Sequence, residues 1–312
     1  MTLKTRSMKP SQSPSLSKRG ASKRGPSTRE PGGAGGEGCL ILVATPIGNL
    51  GDVTARALEG LQAADLIACE DSRVTVKLLR HAGIEKPLVA YHDHNADSMR
   101  PKLLARIAAG AKVALVSDAG TPLISDPGYK LVQAAIEAGL KITMLPGPSA
   151  PIMALALSGL PSDRFLFAGF LPPKPGARRA AIQEAARAPV TLIFFETAPR
   201  LIDSLVDLHG VLGDRRAAVA RELTKLFEEV RRGSLSELIA FYREAGPPKG
   251  EIVLVIGPPD DAAASAQDLD ALLMQALESM SVKDAAAIVS AATGRPKREV
   301  YARALELGKG KP

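Results

Sequence analysis

Short apolar runs alternate with helix-patterned stretches along the chain from residue 39 onward. Five runs of strand length, each followed by a segment with helical spacing, occupy residues 40–44, 66–68, 88–91, 113–116 and 142–145. The alternation predicts βαβ units on a mostly parallel sheet that helices cover on both faces. Asp52 is the predicted N-cap of a helix over residues 54–64, and Gly83 and Gly139 stand at predicted helix C-caps.

The same alternation resumes after a seam rich in Pro and Gly at residues 171–176. Predicted strands follow at residues 190–195, 217–221 and 251–256, with helices around residues 200–208 and 236–243. The pattern therefore predicts two α/β domains, residues 39–160 and 161–258.

The last part of the chain, residues 259–312, is predicted to be a linker followed by a small helical unit. Residues 257–265 have the Gly, Pro, Asp and Ala composition of a linker, and residues 269–278 have helical spacing. Ser281 with Asp284 forms a capping pair before residues 285–292, and Pro296 fits the first turn of a helix over residues 297–307. The last two helices fit a helix-turn-helix and a plain helical hairpin equally well.

Positive charge is concentrated at the two ends of the chain. The net charge is +7, residues 1–38 contribute +6 and residues 283–312 contribute +4, so the middle is mildly acidic. Basic ends are typical of proteins that contact a polyanion, and also of solubilising tails. Residues 1–38 contain few large apolar side chains for burial, and four prolines oppose an amphipathic helix, so we expect a disordered basic tail rather than a transit peptide.

The composition narrows the class of protein. Of the 312 residues 46% are hydrophobic, which is enough for a core, yet no stretch approaches the ~20 apolar residues of a membrane span. The only two cysteines, Cys39 and Cys69, cannot form a disulfide framework. We expect a soluble protein of the reducing cytoplasm without membrane contact.

Three loops after predicted strands are rich in Gly, Pro and small hydroxyl residues: 45–52, 117–128 and 146–150. In open α/β sheets ligands bind at the carboxyl ends of the strands, so these loops are candidates for a binding site, although each alone also fits a tight turn. None of the three loops matches the GxGxxG pattern, and GxxxxGK[ST] and GxSxG do not occur in the sequence, which weakens hydride transfer, NTP hydrolysis and serine-hydrolase chemistry.

Several motifs in order give the chain a family resemblance. They include Thr45-Pro46-Ile47-Gly48-Asn49, Cys69-Glu70-Asp71-Ser72-Arg73, His92-Asp93-His94-Asn95, residues 117–128 and 146–150, Phe195-Glu196-Thr197-Ala198-Pro199-Arg200 and Arg221-Glu222-Leu223-Thr224-Lys225. Over residues 39–256 the chain resembles the small-subunit rRNA methyltransferases of the tetrapyrrole methylase superfamily. The resemblance implies two α/β domains with S-adenosylmethionine in the cleft between them, a homodimer, and methylation of a cytidine ribose 2′-oxygen in 16S rRNA of the small ribosomal subunit.

Site residues follow from matching these motifs. The residues expected to bind the cofactor are Pro46, Asp118, Gly120, Thr121, Ile124, Ser149 and Ala150. Gly120-Thr121-Pro122 stands where small-molecule methylases of the superfamily carry Gly-Asp-Pro, so one polar contact to the cofactor must differ. The expected catalytic residues are Glu222, Lys225 and Glu196, and the expected RNA-binding residues are Arg200, Arg221, Arg295, Lys297 and Arg298. The charged residues of the second domain also fit a purely structural set of ion pairs.

Two other functions remain open at the level of sequence: a methylase of a small tetrapyrrole, and a non-catalytic RNA-binding assembly protein. We expect no metal site. His92 and His94 could face the same way, but the sequence offers no Cys pair or HExxH helix to supply the further ligands that zinc requires. Aromatic residues make up only 4% of the chain, so we expect recognition of a shaped rRNA site rather than stacking along a free strand.

Overall fold

The computed structural model describes residues 37–259, 261–278, 280–293 and 295–308. For residues 261–268 it describes the backbone only. These residues lie in one compact unit, Gly36–Pro312. The predicted disordered tail falls outside the described residues up to residue 36. Its last two residues are described, and Glu37 forms an ion pair of 3.0 Å with Lys141.

The first sheet is entirely parallel, with the strand order β3-β2-β4-β1-β5. Its strands are β1 (Cys39–Val43), β2 (Leu66–Cys69), β3 (Leu88–Ala90), β4 (Lys112–Val116) and β5 (Lys141–Leu145). The connecting helices are α1 (Ala55–Ala63), α2 (Ser72–His81), α3 (Ala96–Ala108) and α4 (Tyr129–Glu137). All five predicted strands are confirmed, with ends that shift by at most one residue.

Helices cover both faces of this sheet, which explains why β1 is apolar at every position. Ile41 and Val43 pack into a core with Leu61 of α1. Leu40, on the opposite face, packs with Leu103 of α3. A strand covered on both sides reads as a continuous apolar run, as the sequence indicated.

The N-cap prediction for α1 is wrong. Asp52 lies in a 3₁₀ turn, Leu50–Asp52, and Thr54 is the N-cap, its hydroxyl accepting a hydrogen bond of 3.1 Å from the Ala57 amide. Gly83 and Gly139 each follow the C-cap residue by one position and have φ near +65°, a conformation that favours glycine at a helix end.

The second sheet is mixed, which corrects the expectation that the parallel alternation simply resumes. Its strands are β6 (Phe165–Phe170), β7 (Thr191–Thr197), β8 (Arg216–Arg221), β9 (Glu229–Ser234) and β10 (Glu251–Ile256), in the order β6-β7-β10-β8-β9. Only β6 and β7 pair in parallel, because β10 lies between β7 and β8 and runs antiparallel to both.

Helices cover both faces of the second sheet as well. Helices α6 (Pro175–Ala185), α7 (Leu201–Leu212) and α8 (Leu235–Ala245) pack on one face of that sheet. Helix α5 (Ala150–Ser158) packs on the other face, where Ala154 and Leu155 meet Val253 and Val255 of β10. Because α5 directly follows the loop after β5, this packing connects the first sheet's carboxyl end to the second sheet.

Three C-terminal helices form a separate small core. They are α9 (Asp261–Leu277), α10 (Val282–Thr293) and α11 (Lys297–Gly308), and they bury Leu273, Val289 and Val300 against one another. The linker prediction is wrong from residue 261, where α9 already begins. The Ser281 cap is confirmed, since its hydroxyl accepts a hydrogen bond of 3.2 Å from the Asp284 amide. Among the described residues, none of the helices is long and apolar enough to cross a membrane.

Candidate active site

Three glycine- and proline-rich loops meet at the carboxyl ends of β1, β4 and β5, which are neighbouring strands of the first sheet. The backbones of Thr45 and Gly120 exchange two hydrogen bonds of 2.9 and 3.0 Å. The Thr121 hydroxyl donates a hydrogen bond of 3.0 Å to the carbonyl of Pro148. Gly120 has φ +82°, a conformation that an L side chain rarely adopts, so glycine is what lets the second loop approach the first.

These loops form one side of a cavity of about 540 Å³, and the second sheet forms the other. The first side contains Ile47, residues 118–121, residues 124–126 and residues 149–151. The second side contains Phe170, residues 195–199, Ala220, Leu223 and residues 250–253. A volume of this size suits a ligand of roughly drug-like dimensions.

The cavity combines apolar walls with a small acidic group. Phe170 and Phe195 lie on the second side with their ring centroids 5.2 Å apart. Asp118 lies on the first side, where its Oδ1 accepts a hydrogen bond of 2.9 Å from the Asp71 amide. Burial raises the pKa of Asp126 to about 6; the charge of Glu70 adds to this effect and a hydrogen bond from Ser117 opposes it. A cationic ligand with an apolar portion fits such a lining.

Six of the seven residues expected to bind the cofactor line the cavity: Asp118, Gly120, Thr121, Ile124, Ser149 and Ala150. The seventh, Pro46, does not line it, and its neighbour Ile47 does. Ser149 occupies the N-cap position of α5 without making a capping hydrogen bond through its hydroxyl.

Glu196 lines the cavity, yet its carboxylate is engaged on every side. Its Oε1 lies 2.6 Å from an Arg200 guanidinium nitrogen and accepts a hydrogen bond of 2.7 Å from the Thr197 amide. Its Oε2 accepts a hydrogen bond from the Ser204 hydroxyl. The Glu196 side chain is fully buried, so the arrangement is that of a structural ion pair at the start of α7.

Glu222 and Lys225 lie beside the cavity mouth rather than in its lining. The Lys225 ammonium is 2.9 Å from Glu222 Oε1 and 2.8 Å from Oε2 of Glu251, and Glu251 itself lines the cavity. Across the cleft, the Lys225 side chain packs over Gly48 so closely that a Cβ on Gly48 would be 2.5 Å from Lys225 Cγ. Glu222, Lys225 and Glu251 thus form a charged cluster at the cavity mouth, and through Lys225 this cluster joins the second sheet to the loop after β1.

Both members of this pair are held in their charged forms. The hydrogen bond from Lys225 and the backbone hydrogen bond from Glu251 lower the pKa of Glu222. Burial by itself would lower the pKa of Lys225, but the hydrogen bonds to Glu222 and Glu251 outweigh it and the pKa is raised. Lys225 is consequently a hydrogen-bond donor rather than a proton acceptor near neutral pH.

The five arginine and lysine residues expected to bind RNA fall into two groups. Arg200 and Arg221 are engaged within the second sheet: Arg200 with Glu196, and Arg221 with Glu229 at 3.4 Å and the Lys249 carbonyl at 3.2 Å. In the C-terminal unit Arg295 pairs with Glu299 at 3.1 Å, while Lys297 and Arg298 have exposed side chains. The structure thus separates these residues and leaves the exposed pair at the start of α11.

Several residues that line the cavity carry no role in the sequence-based assignment. Asp126 lies on the first side, within the loop 117–128, and Phe170, Leu223, Gly250 and Glu251 lie on the second side. Phe170 belongs to β6, which was not among the predicted strands. Gly250 precedes β10, and its position at the cavity follows from the pairing of β10 with β7. The cue available in the sequence was the Arg221–Lys225 motif, which the antiparallel pairing of β8 with β10 places next to Glu251.

The His92 and His94 rings lie near one another, with centroids 5.9 Å apart. Within the part of the chain that the structure describes, no group of three or more His, Cys, Asp or Glu residues could hold a metal ion.

Comparison with known proteins places this architecture in a family. Residues 39–239 match the model of the Tetrapyrrole (Corrin/Porphyrin) Methylases, and residues 263–308 match the RsmI C-terminal HTH domain. In solved structures, diphthine synthase gives a TM-score of 0.55 at 17% identity, covering 70% of this chain and 89% of that one. A cobalt precorrin-4 methyltransferase gives 0.53 at 18% identity, covering 70% and 94%. At these identities the likeness concerns the fold alone.

Curated relatives are much more similar. A protein of Mesorhizobium japonicum is 52% identical over 87% of this chain and 92% of its own length. One of Erythrobacter litoralis is 55% identical over 86% and 95%, and one of Escherichia coli O157:H7 is 49% identical over 86% and 96%. All three are named ribosomal RNA small subunit methyltransferase I. The chain therefore belongs to the tetrapyrrole methylases and, within them, to the ribosomal RNA small subunit methyltransferase I family.

Proposed function

We propose that this protein transfers a methyl group from S-adenosylmethionine to the 2′-oxygen of a cytidine ribose in 16S rRNA of the small ribosomal subunit. The observation that carries the proposal is the cavity between the two sheets, whose acidic and apolar lining suits a cationic cofactor. The names of the relatives support an rRNA substrate. The cytidine and its 2′-oxygen are the methyl acceptor that the motif resemblance implies.

The cavity residues fit S-adenosylmethionine in size and charge. The cofactor supplies a methyl group activated on a positively charged sulfur. Asp118 and Asp126 place negative charge in the cavity, and Ile47, Phe170 and Leu223 offer apolar surface for a purine. The Thr121 hydroxyl is already used on the Pro148 carbonyl. Asp118, Ser125 and Asp126 of the same loop also line the cavity and supply further polar atoms.

The cluster at the mouth suits a ribose hydroxyl as methyl acceptor. An ammonium group has three hydrogen-bond donors, and Lys225 uses two of them on Glu222 and Glu251, which leaves one for the ribose oxygen. As the new C–O bond forms and the C–S bond breaks, the hydroxyl proton becomes strongly acidic, so an ionised carboxylate such as Glu222 is a sufficient acceptor. We assign Lys225 to orienting the hydroxyl and Glu222 to accepting its proton.

Glu196 and Arg200 take a different role from the one expected from sequence. Because their charges are paired and Glu196 is buried, we assign them to holding the end of β7 and the start of α7 against the cavity. Phosphate contact is better supplied by Lys297 and Arg298, whose exposed side chains lie in the helical unit that matches an HTH model.

We further propose that the protein is a homodimer that acts in the cytoplasm, where ribosomal subunits are modified. Edge strand β6 exposes Phe165 and Leu166, and helix α5 exposes Ile152. Exposed apolar side chains on an edge strand are typical of a surface that pairs with another chain.

Methyl transfer from labelled cofactor tests the proposed function against its two alternatives. The protein is incubated with labelled S-adenosylmethionine and either small ribosomal subunits or a tetrapyrrole precursor. We expect label in the 16S rRNA of the subunits only. Label in the tetrapyrrole would identify a small-molecule methylase, and subunit binding without label in either substrate would identify a non-catalytic assembly protein.

A further inference from the structure

Two large apolar side chains project from the loop between β8 and β9. Leu226 is 89% exposed and Phe227 is 66% exposed, whereas Leu223 in the same loop is 5% exposed and lines the cavity. Single exposed apolar residues are ordinary on protein surfaces. Two adjacent ones of this size, next to a cavity mouth, have the character of a contact surface.

Hydrogen bonds hold this loop, residues 222–228, in one conformation. The Glu222 amide donates to the Glu251 carbonyl at 3.0 Å, and the Glu228 amide donates to the Lys225 carbonyl at 3.1 Å. The Thr224 amide donates to Glu228 Oε2 at 2.6 Å. Phe227 is therefore presented by a pinned turn, and its binding partner does not have to order the loop first.

The position of the loop relates Phe227 to the reacting group. Lys225, two residues earlier, contacts Glu251 of the cavity lining and packs over Gly48 of the opposite loop. A nucleotide whose ribose oxygen accepts a hydrogen bond from Lys225 therefore lies beside the loop that carries Leu226 and Phe227.

The charges of the loop favour a base rather than a phosphate as the partner of Phe227. The single positive charge of Lys225 faces two carboxylates, Glu222 and Glu251, and Glu228 adds a third nearby. Phosphate would be repelled by this surplus of carboxylates. A nucleotide whose ribose enters a protein cavity has to leave its helical stack, and unstacked bases in RNA complexes are stacked on aromatic side chains.

We propose that Phe227, with Leu226 beside it, is the stacking platform for the base of the nucleotide whose ribose enters the cavity. The proposal rests on the proposed function, since it requires an RNA substrate at this mouth. Phe227 is a positioning residue: it holds the nucleotide while Lys225 and Glu222 address the hydroxyl. A single stacked base at the cavity mouth is compatible with recognition of a shaped rRNA site by a chain with few aromatics.

Substitution of Phe227 tests the proposal through the KM for small ribosomal subunits. Loss of one base–aromatic stack lowers affinity by roughly 5- to 150-fold, so Phe227→Ala should raise this KM by such a factor. The kcat and the calorimetric affinity for S-adenosylmethionine should stay at wild-type values. Phe227→Trp should restore the KM because it keeps an aromatic face, and Phe227→Leu should not, because it keeps only apolar volume. Ile136→Ala, which removes an apolar side chain that is 65% exposed on α4, is the matched control and should change nothing.

Three results would overturn the proposal. An unchanged KM in Phe227→Ala would show that no base stacks there, and full restoration by Phe227→Leu would show apolar packing instead of stacking. A change of molecular mass in light scattering of Phe227→Ala would assign the loop to an interface between copies of this chain. Wild-type protein that neither binds nor methylates small subunits contradicts the proposed function itself, which separates that failure from the failure of the Phe227 assignment.

Discussion

The side chain of Lys225, in the loop after β8, packs directly against the backbone of Gly48, in the loop after β1. This close contact is possible because Gly48 has no side chain. A Cβ at position 48 would be 2.5 Å from Lys225 Cγ and 2.7 Å from its Cε. Because Lys225 fills the space that a side chain at position 48 would need, the two sheets can approach one another at the cavity mouth. The position of the Lys225 ammonium thus depends on a glycine of the opposite loop.

Gly48→Ala should displace the Lys225 side chain and reduce methyl transfer. The new methyl group forces Lys225 to move, which breaks the geometry of its contacts with Glu222 and Glu251. We expect kcat to fall at least tenfold, since misplacement of about 1 Å in an active site has large effects on rate. Steady-state transfer to small subunits measures this, and Gly176→Ala, at a glycine with open space around it, is the matched control. An unchanged kcat in Gly48→Ala would contradict the role given to Lys225.

Lys225→Ala and Glu222→Gln should lower turnover far more than cofactor affinity. Neither residue lines the cavity, so the cofactor loses no direct contact, whereas the acceptor loses its donor or its proton acceptor. Losses of about 100-fold in kcat are typical for such groups. Parallel calorimetry with S-adenosylmethionine gives the affinity, and Lys102→Ala, at an exposed residue of α3, serves as the control. Wild-type turnover in both variants would remove them from the mechanism.

Glu196→Ala should destabilise the protein by about 3 kcal/mol, because it leaves the Arg200 guanidinium without its partner in a largely buried position. Glu196→Gln, which keeps an acceptor for the Thr197 amide and the Ser204 hydroxyl, should lose less. The free energy of unfolding from urea titration measures both. Arg73→Ala, at an ion pair whose arginine side chain is 87% exposed, should leave stability unchanged. If Glu196→Ala were as stable as wild type but inactive, Glu196 would be catalytic after all.

The fold was largely predictable from the sequence where burial on both faces dictates the pattern. Strands β1, β2 and β4 are largely apolar and buried along almost their whole length, so the apolar runs identify them. Strand β9 was missed because Glu229–Ser234 lies at the edge of the second sheet and is mostly polar. The antiparallel insertion of β10 between β7 and β8 could not be predicted either, because pairing partners depend on contacts distant in sequence.

The candidate site was predictable on one side only. The loops 117–128 and 146–150 have a local signature of Gly, Pro and hydroxyl residues, and Asp118, Gly120, Thr121, Ile124, Ser149 and Ala150 from them line the cavity. The second side is assembled from strands that are distant in sequence. Neither Phe170 nor Glu251 lies in a sequence pattern that marks it as a cavity residue. The engagement of Glu196 and Arg200 with each other was foreseen only as the structural alternative, since spacing does not distinguish a paired charge from a free one.

Cofactor affinity should fall as the pH drops through about 6. Burial raises the pKa of Asp126 to about 6, so the carboxylate is mostly ionised at pH 7 and mostly protonated at pH 5. A sulfonium cation is attracted to the ionised form, so affinity should be higher at pH 7 than at pH 5, by up to about tenfold. Asp126→Asn should bind more weakly at pH 7 and show little pH dependence in this range. Calorimetry at pH 5, 6 and 7 measures the profile, and a wild-type profile in Asp126→Asn would exclude Asp126.

Replacing Lys297 and Arg298 together by Ala should weaken the binding of small ribosomal subunits and reduce its salt dependence. Each phosphate contact contributes about one unit to the slope of log K against log salt, so the slope should fall by about two. Filter binding over a series of KCl concentrations measures it. Lys102→Ala again controls for loss of a positive charge elsewhere. An unchanged slope would mean that these side chains do not contact RNA phosphates.

The most direct test of the account is calorimetric titration of the folded full-length protein with S-adenosylmethionine, comparing wild type with Ala150→Leu. Ala150 begins α5 and lines the cavity, so leucine would fill space that the cofactor needs without straining a helical backbone. Ala105→Leu, at an exposed position of α3, is the control. We predict one binding site per chain in wild type and in the control, and an affinity at least tenfold weaker in Ala150→Leu. Absence of binding to wild type, or equal binding by Ala150→Leu, would contradict the claim that this cavity holds the methyl donor.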